Sequence, residues 1–548
     1  MLKRAENYEE LYRSFRWNVP RKYNMAHDVC DRHAAADPDK LALITIGGKD
    51  GERRYSFSEI QRLSNKFANL LAAQGIMRGD RVAILLPQCP ETAIAHVAAY
   101  KLGAIALPLF VLFGEDALEY RLANAGAKVL LTDTINLPKI LAIRERLPAL
   151  KRIIVIDGGG GDLDLWPQMG KSSEAFETVD TNAEDPALLV YTSGTTGPPK
   201  GALHAHRTMF GHMPGFDFYH EFPPQKGDLG WTPADWAWIG GLMDLLMPCW
   251  FHGIPVLAHR AGKFDPEEAY ALMTKYQVRN TFIPPTALKM MRQVGDAKKR
   301  YSPKLRSLFT GGETLGEEVL AWGRETFDIT FNEGYGQTEF NICVGNCSAI
   351  MPVKPGSMGR AVPGHSIEIV DDEGNLLPVG KTGNIAFKTP DPVAMIEYWC
   401  NPEATREKYR GPWMLSGDEG MKDEDGYFWF QGRADDVITS AGYRIGPGEI
   451  EDCLMKHPAV GLAAAIGVPD PVRTELIKAV IVLNPGFDPG SGLETEIREF
   501  VKVRLAAHEY PRLIEFVDSM PLTATGKIRR KDLREREIAR GDDSTGDE

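Results

Sequence analysis

The stretch Tyr191-Thr-Ser-Gly-Thr-Thr-Gly-Pro-Pro-Lys-Gly201 combines the residue types that bind phosphate groups. Its glycines let main-chain N–H groups approach an anion, and its hydroxyl side chains add further donors. The residues concerned are Gly194, Gly197, Gly201, Thr192, Ser193, Thr195 and Thr196. Lys200 adds a positive charge. The apolar run Ala187-Leu-Leu-Val190 directly before it predicts a buried strand. We therefore predict a polyphosphate-binding loop at the end of a strand.

Two other interpretations of this stretch need to be weighed. The P-loop of kinases and GTPases places Gly-Lys-Ser/Thr at the start of a helix, whereas here Pro198-Pro199 precede Lys200. Prolines remove backbone donors and stiffen the turn. A flexible surface loop is the other alternative, because such loops are often rich in Ser, Thr and Gly. The motifs that follow along the chain favour the phosphate-binding loop.

With these further motifs the chain resembles the adenylate-forming superfamily of acyl-CoA synthetases, peptide-synthetase adenylation domains and luciferases. The resemblance covers nearly the whole chain. Its motifs, in order after the phosphate loop, are Thr310-Gly-Gly-Glu-Thr314, Gly334-Tyr-Gly-Gln-Thr-Glu339, Leu415-Ser-Gly-Asp418, Gly432-Arg-Ala-Asp-Asp436 and Pro521-Leu-Thr-Ala-Thr-Gly-Lys527. Each segment alone could be an ordinary turn, but their order and spacing favour one nucleotide site.

The resemblance implies a site for ATP and Mg²⁺. The residues expected around the nucleotide are Gly312, Glu313, Thr314, Glu333, Gly334, Tyr335, Gly336 and Gln337, with the Tyr335 ring on adenine. Thr338 would bind the α-phosphate, and Glu339 would carry Mg²⁺, which prefers oxygen ligands. Asp418 and Arg433 would bind the ribose. Lys527 would bridge the carboxylate and the phosphate during adenylation, where a cation lowers the charge repulsion between them.

The resemblance also implies a second half-reaction with coenzyme A. Asp435 would be the hinge about which a smaller domain rotates. Gly442, Tyr443 and Arg444 would bind CoA, with Gly442 lining the pantetheine tunnel. Arg473 and Tyr510 match positions that meet the CoA nucleotide in medium-chain acyl-CoA synthetases. The Gly-Lys pair at Lys527 also resembles the sequence that lysine acyltransferases recognise, so reversible acylation of Lys527, with a matching deacylase, is a hypothesis.

The acid would bind in an acyl pocket. Acetyl-CoA synthetases carry paired tryptophans where this chain has Tyr335-Gly336, so Gly336 is expected to leave room for more carbons. Trp236, Gly240, Gly241 and Pro285 are the other expected pocket residues, although a core aromatic is the alternative for Trp236. We find no charged residue in these stretches that clearly faces a polar substrate tail. A short- to medium-chain saturated acid, linear or branched, is therefore favoured, while an aromatic acid or a sulfur-containing propionate fits equally well.

Composition limits the class of protein. The 548 residues are 43% hydrophobic and 25% charged, as in an ordinary globular protein of two or more domains. A net charge of −12 argues against a nucleic-acid partner. Seven scattered cysteines argue against a disulfide framework, and together with the absence of a signal peptide or apolar span they predict a cytoplasmic protein. Cys343 and Cys347, the only close pair, have no second pair to complete a metal site.

The elements that position these motifs alternate between strands and helices, which predicts an α/β fold with parallel sheets. Ser56-x-x-Glu59 predicts a capping box, followed by a helix that stops near Gly75. After about Met351, short strands and Gly/Pro turns predict a small β-barrel lobe. We predict an N-terminal domain of stacked doubly wound α/β subdomains plus this lobe over residues 1–434, a mobile α+β domain over 435–548, and disorder from Gly541.

Three rival functions stay open at this stage. A stand-alone adenylation enzyme would load a carrier-protein thiol and would not accept free CoA. A luciferase-like oxidoreductase would consume oxygen with an adenylate, although nothing in the sequence asks for it. A non-catalytic binding relative is disfavoured because every matched catalytic position is filled.

Overall fold

Two β-sheets with largely parallel strands dominate the first of two compact units in the computed structural model. This unit comprises Met1–Ser366 and Lys388–Pro412, and the second comprises Ile367–Phe387 and Trp413–Glu548. The structure describes residues 1–48, 51–192, 199–260, 262–312, 315–433, 436, 438–440, 443–470, 474–502, 504, 510–522 and 527–543.

The first sheet of the first unit has nine strands among the described residues. In spatial order they are Arg360–Ala361, Asn341–Gly345, Asn332–Gln337, Ser307–Gly311, Asn280–Phe282, Gly230–Trp231, Val256–His259, Leu41–Gly48 and Gly51–Ser56. The strands from Asn332–Gln337 through Leu41–Gly48 pair in parallel, and the two edges are closed by antiparallel strands. The motif Gly334–Glu339 therefore begins on a buried parallel strand and ends in the turn to the antiparallel strand Asn341–Gly345.

The second sheet of this unit has eight strands in the described part of the chain. Their order is Glu397–Tyr398, Lys200–Ala205, Pro186–Thr192, Ile105–Pro108, Arg81–Leu85, Val129–Thr132, Arg152–Val155 and Leu163–Asp164. The first three pair antiparallel and the rest pair in parallel. The predicted strand before the phosphate loop is confirmed as Pro186–Thr192.

Helices cover both sheets. In the first unit they are Tyr8–Ser14, Arg32–Ala36, Phe57–Ala73, Pro90–Lys101, Glu115–Ala125, Leu137–Ile143, Leu165–Lys171, Thr208–Tyr219, Ile239–Gly241, Met247–Phe251, Pro266–Lys275, Pro285–Arg292, Ala297–Arg300, Glu317–Phe327 and Pro402–Glu407, with π-helical turns at His27–Asp31 and Leu242–Leu246 and a 3₁₀ turn at Arg144–Arg146. The capping box predicted at Ser56 and Glu59 is confirmed, with both of its hydrogen bonds present. No helix among the described residues is long and apolar enough to cross a bilayer.

The second unit contains two smaller sheets. One has the strand order Ile367–Val370, Gly383–Lys388, Trp413–Lys422 and Phe428–Arg433, and the other has Tyr443–Ile445, Ile438–Ser440, Thr474–Leu483 and Val460–Asp470, with Leu513–Phe516 also paired to Thr474–Leu483. Its helices are Pro447–Leu454, Ser491–Lys502 and Arg530–Asp543. The predicted α/β fold class with a β-rich segment after Met351 is confirmed.

The last helix departs from the predictions. Disorder from Gly541 is wrong for Gly541 to Asp543, because the helix Arg530–Asp543 includes them. Arg530 anchors this helix through Glu451, with an Nη2 to Oε2 distance of 2.5 Å.

The compact units divide the chain differently from the predicted domains, since the β-rich segment belongs to the second unit. The hinge at Asp435 lies outside the described residues, and the 434/435 boundary stays a prediction.

Candidate active site

The phosphate loop joins two antiparallel strands, Pro186–Thr192 and Lys200–Ala205. Thr192 and Lys200 are register partners at its base, and the Thr192 hydroxyl donates to the Lys200 carbonyl at 3.3 Å. The loop residues Ser193, Gly194, Thr195, Thr196 and Gly197 lie outside the described residues. The hairpin thus places the predicted lysine beside the start of the predicted anion loop.

A tyrosine links the phosphate-loop lysine to the predicted magnesium ligand. The Lys200 Nζ lies 5.4 Å from the centroid of the Tyr398 ring. The π face of an aromatic ring attracts a cation at this distance. The Tyr398 hydroxyl donates to Glu339 Oε1 at 2.5 Å. Tyr398 reaches this position because its strand pairs with Lys200–Ala205, with Tyr398 opposite Ala202. The structure therefore brings Lys200 to the ring and Glu339 to the hydroxyl of the same tyrosine.

Thr338 and Glu339 occupy the turn between the antiparallel strands Asn332–Gln337 and Asn341–Gly345. The Phe340 N–H donates to the Gln337 carbonyl at 3.1 Å, and Asn341 has a φ of 47°. A Cβ on Gly336 would lie 1.8 Å from the Asn341 carbonyl oxygen. The tight hairpin thus requires a glycine at 336, so the width of an acyl pocket does not follow from this residue by itself.

The predicted adenine motifs meet on neighbouring parallel strands. Gly311 pairs with Gly334, and a Cβ on Gly311 would lie 2.6 Å from the Gly334 carbonyl oxygen. Glu333 is only 4% exposed, and its Oε1 accepts a hydrogen bond from the Leu315 N–H at 3.1 Å. This bond ties the strand to the chain just beyond Glu313 and Thr314, which lie outside the described residues. The neighbouring Gly312 has a left-handed φ of 95°.

Histidines behind Glu339 contribute little positive charge at neutral pH. Burial lowers the pKa of His204 to about 4, although the nearby Glu339 carboxylate raises it. Burial also lowers the pKa of His212 well below its usual value, and the neighbours His204 and His365 lower it further. His365 lies 2.8 Å from Asp391, measured from Nδ1 to Oδ2. His204 and His212 therefore add little positive charge to that of Lys200 at neutral pH.

Glu339 fits a magnesium ion that is shared with a nucleotide. The residue is 8% exposed, and its Oε2 receives no hydrogen bond from the residues that the structure describes. Magnesium in nucleotide sites usually takes one or two carboxylates and completes its shell with phosphate oxygens and water. The donor set around Glu339 matches that pattern, because it supplies one hard oxygen ligand next to the phosphate loop.

The predicted acyl-pocket residues divide between core and cleft. Trp236 is fully buried within the main core, in the position expected of a core aromatic. Trp238, two residues later, is instead partly exposed and lines a small cavity together with Tyr191 and Phe110. Both tryptophans lie in the same loop before Ile239–Gly241 and only packing separates them, so the assignment of Trp236 to the acyl pocket stays a prediction.

The two predicted pocket glycines also differ in their surroundings. A Cβ on Gly241 would lie 2.3 Å from the Asp235 carbonyl oxygen, so backbone packing requires this glycine. A Cβ on Gly240 would instead meet the edge of the Phe282 ring at 2.7 Å. Pro285 starts the helix Pro285–Arg292, three residues after Phe282. Gly240 therefore lies near the Phe282 side chain, and Pro285 lies near the end of the strand that carries Phe282.

In the second unit, the predicted ribose residues lie opposite each other. Asp418 and Arg433 are register partners on the strands Trp413–Lys422 and Phe428–Arg433. Asp418 is buried, and its N–H donates to Ser416 Oγ at 2.9 Å. The structure brings these two positions together on neighbouring strands. Their joint role in binding the ribose stays a prediction.

The remaining predicted residues of the second unit are less closely grouped. Tyr443 and Arg444 pair with Ser440 and Thr439 in a short hairpin. Tyr510 packs beside the core of this unit, with Arg512 at 4.9 Å from its ring centroid. Lys527 is exposed, one residue before the bridge between Leu522 and Ile528. Gly442, Arg473 and Asp435 lie outside the described residues.

Sequence reasoning missed two polar residues of the first unit. Tyr398 lies 59 residues from its partner Glu339, so no local pattern pointed to it. Asp244 is 2% exposed and accepts a hydrogen bond from Asn341 on the Glu339 hairpin. The one available signal for Asp244 was a single carboxylate inside the apolar run Leu242-Met-Asp-Leu-Leu246.

Comparisons with known proteins agree with this geometry. A family model described as "AMP-binding enzyme" matches residues 30–399, and one described as "AMP-binding enzyme C-terminal domain" matches residues 449–527. An acetyl-coenzyme A synthetase of Bacillus subtilis (strain 168) is 39% identical, over 98% of this chain and 97% of that protein. The mitochondrial acyl-coenzyme A synthetase ACSM4 of Mus musculus is 36% identical, over 95% of this chain and 92% of that protein.

A solved structure is similar over almost its whole length. The anthranilate CoA ligase AuaEII in complex with anthranoyl-AMP has a TM-score of 0.87 and 29% sequence identity, covering 95% of this chain and 99% of that one. Family matches, relatives and fold all agree with the motif order along the chain. The chain therefore belongs to the AMP-binding enzymes of the adenylate-forming superfamily, as an AMP-forming acid–CoA ligase that uses ATP and CoA.

Proposed function

We propose that this enzyme activates a short- to medium-chain carboxylic acid, linear or branched, and transfers it to CoA. In the first half-reaction, a carboxylate oxygen attacks the α-phosphorus of ATP, and pyrophosphate leaves as acyl-adenylate forms. In the second, the CoA sulfur attacks the acyl carbon, and AMP leaves as the thioester forms. The names of the relatives support an acyl substrate, since they include an acetyl-coenzyme A synthetase and an acyl-coenzyme A synthetase.

The observation that carries the proposal is the Lys200, Tyr398 and Glu339 arrangement. Adenylation requires cations around a phosphate whose charge is spread in the transition state. Lys200 supplies a fixed charge beside the phosphate loop, and the short hydrogen bond from Tyr398 orients the Glu339 carboxylate. A Mg²⁺ ion held by Glu339 would neutralise phosphate charge. Thr338, in the same turn, is proposed to donate to the α-phosphate.

The second unit is proposed to complete both half-reactions. Asp418 and Arg433 would hold the ribose hydroxyls, and Lys527 would lie between the carboxylate and the α-phosphate during adenylation. After rotation at Asp435, the CoA residues would include Gly442, Tyr443, Arg444, Arg473 and Tyr510. Lys527 is also proposed as a target of a lysine acyltransferase, and mass spectrometry after incubation with such an enzyme tests this. A cytoplasmic location stays a prediction from cysteine usage.

The acyl pocket is proposed to lie beside Gly240 and Phe282. A Cβ at 240 would lie 2.7 Å from the Phe282 ring, so the glycine allows this aromatic ring to pack closely against the backbone of a proposed pocket residue. An aromatic acid is a second candidate, because the solved anthranilate CoA ligase shares the fold at 29% identity. A methylthio-propionate is a third candidate, because it is also a short-chain acid. Transfer to a carrier-protein thiol is the alternative for the second half-reaction.

The test is AMP release with ATP and Mg²⁺ across acids from acetate to decanoate, including branched, sulfur-containing and aromatic members, each with and without CoA. We expect CoA-dependent AMP release with a maximum at one chain length within this series. Pyrophosphate release that does not respond to CoA would contradict CoA transfer and favour a carrier-protein thiol. A maximum on benzoate or anthranilate would replace the aliphatic substrate with an aromatic one.

A further inference from the structure

The segment that carries Lys527 is attached to the second unit close to the lysine itself. An antiparallel bridge joins Leu522 to Ile528, the residue directly after Lys527. Arg530, three residues after the lysine, begins the helix Arg530–Asp543. A group that must meet a reacting phosphate needs a fixed position, because a displacement of about 1 Å can cost about 100-fold in rate. The contacts that hold this segment therefore bear on the proposed role of Lys527.

The Arg530 guanidinium forms a bidentate ion pair with Glu451. Its Nε donates to Glu451 Oε1 at 2.9 Å, and its Nη2 donates to Oε2 at 2.5 Å. Glu451 belongs to the helix Pro447–Leu454, and its Oε1 also accepts a hydrogen bond from the Ala465 N–H at 2.8 Å. The side chains of Arg530 and Glu451 are 22% and 13% exposed, so the pair is largely shielded from water. Two parallel hydrogen bonds fix the direction of the guanidinium as well as its distance.

The same guanidinium reaches a second carboxylate, which lies next to the predicted hinge. Asp436 follows Asp435 directly in the chain and is buried. Its Oδ2 lies 3.5 Å from Arg530 Nη1, and its Oδ1 lies 2.9 Å from Arg534 Nη1. Burial lowers the pKa of Arg530, but Glu451 and Asp436 raise it by more, so the net pKa is above its usual value. Arg530 thus joins the last helix, the helix of Glu451 and the chain just after the hinge.

We propose that Arg530 is a positioning residue for Lys527 in adenylation, because it ties the segment that carries the lysine to Glu451 and to the chain directly after the hinge. This inference rests on the proposed function, which assigns Lys527 to adenylation and Asp435 to the hinge. Rotation at the hinge then carries Lys527 together with the domain that follows it. Breaking the ion pairs loosens the segment, so the lysine charge spends less time where the carboxylate meets the α-phosphate. Arg530 acts through Lys527 and touches no substrate.

The experiment measures the two half-reactions separately in the full-length chain: pyrophosphate release with ATP and the preferred acid, and thioester formation from pre-made acyl-adenylate and CoA. In Arg530→Gln, we expect kcat for adenylation to fall by about tenfold or more, while KM for ATP and for the acid changes by less than about twofold. Thioester formation should also change by less than about twofold.

A neighbouring arginine provides the matched control. Arg529 is exposed and pairs with Asp532 of the last helix, with an Nη1 to Oδ2 distance of 3.0 Å. Arg529→Gln therefore removes the same charge from the same segment without breaking the contacts to Glu451 and Asp436. We expect both half-reactions to be unchanged in this variant. An adenylation loss as large as that of Arg530→Gln would overturn the proposal, because the general positive charge of the segment would then explain the effect.

A double variant tests whether Arg530 acts through Lys527. If it does, Arg530→Gln should cause no further loss of adenylation when it is added to Lys527→Ala, because the group that it positions is already absent. A further loss of about tenfold in the double variant would overturn the proposal. An unchanged adenylation rate in Arg530→Gln alone would overturn it as well.

A milder variant separates positioning from folding. Removing one partner of a shielded ion pair can destabilise a domain strongly, whereas Arg530→Lys keeps a positive charge and loses only the bidentate geometry. We expect an adenylation loss between those of wild type and Arg530→Gln, with thioester formation spared. Equal losses of both half-reactions in Arg530→Lys would indicate a general structural role and overturn the proposal. If Lys527→Ala itself lowers both half-reactions equally, the proposed role of Lys527 fails first, and the inference fails with it.

Discussion

The two compact units hold their predicted site residues in different ways. In the first unit, Glu333 and Glu339 are 4% and 8% exposed and are oriented by hydrogen bonds from residues on other elements. In the second unit, Lys527 is exposed and precedes a helix. Packing fixes the first group, whereas Lys527 lies at the surface of its unit. The difference suits a fixed nucleotide site served by a group that acts in one half-reaction only.

The largest expected effect comes from Lys527→Ala. Removing a cation that acts only in adenylation should lower the rate of acyl-adenylate formation by about 100-fold or more. Thioester formation from pre-made acyl-adenylate should be spared. Lys531→Ala is the matched control, because Lys531 belongs to the same basic segment but pairs with Glu535 at 3.6 Å. Stopped-flow measurement of the two half-reactions tests this, and an equal loss in both would contradict the contrast between the units.

The fixed group of the first unit should respond differently. Glu339→Gln should lower adenylation by about 100-fold and raise the Mg²⁺ concentration needed for half-maximal rate, because the ion loses its charged ligand. Tyr398→Phe should cost about tenfold, since it removes only the hydrogen bond that orients the carboxylate. Glu407→Gln, an exposed carboxylate of the same unit, serves as the control. A Mg²⁺ titration that is unchanged in Glu339→Gln would remove the assignment of this residue as metal ligand.

The predicted hinge at Asp435 can be tested by restricting the backbone at this residue. Proline at 435 restricts the backbone φ and removes an N–H donor, so Asp435→Pro should restrain rotation. We expect thioester formation to fall by about tenfold more than adenylation. Separate assays of pyrophosphate release and of CoA-dependent AMP release measure the two steps. Equal losses in both steps would show that Asp435 is not the hinge.

The smallest expected effect is on the pH dependence of stability, through the buried carboxylate of Asp244 in the first unit. The folded pKa of Asp244, about 7, is above its ordinary value of 3.8, so the folded state binds the proton more tightly than the unfolded state. Stability therefore falls as pH rises from about 4 to about 7 and levels off above that range. Burial raises the pKa of the neighbouring Tyr219 and Cys343, and the charge of Asp244 raises both further.

Asp244→Asn should remove this pH dependence. Relative to wild type, its free energy of unfolding should increase between pH 5 and pH 8 by an amount on the order of 1 kcal/mol. Urea unfolding at both pH values measures the difference. A wild-type minus variant difference that is constant across this range would mean that the carboxylate does not titrate there.

Local sequence patterns were sufficient to predict the features that depend on residues close together in the chain. The capping box at Ser56, the strand before the phosphate loop and the alternation of strands and helices all follow from short-range spacing. They were insufficient for the helix Arg530–Asp543, which its polar, highly charged composition did not indicate. They were also insufficient for Trp236 and Trp238, because two tryptophans in one loop have the same local signal and only the surrounding core decides which is buried.

The sequence by itself determined the family, the order of the nucleotide motifs and the presence of Lys200, Glu339 and Lys527, since each depends on residue identity at a fixed spacing. Only the tertiary structure decided that Tyr398 links Lys200 to Glu339, that the backbone requires Gly336, and that Asn341 donates to the buried Asp244. These contacts join residues that are distant in the chain or depend on a side-chain direction. Sheet pairing and core packing set them, and no local pattern carries that information.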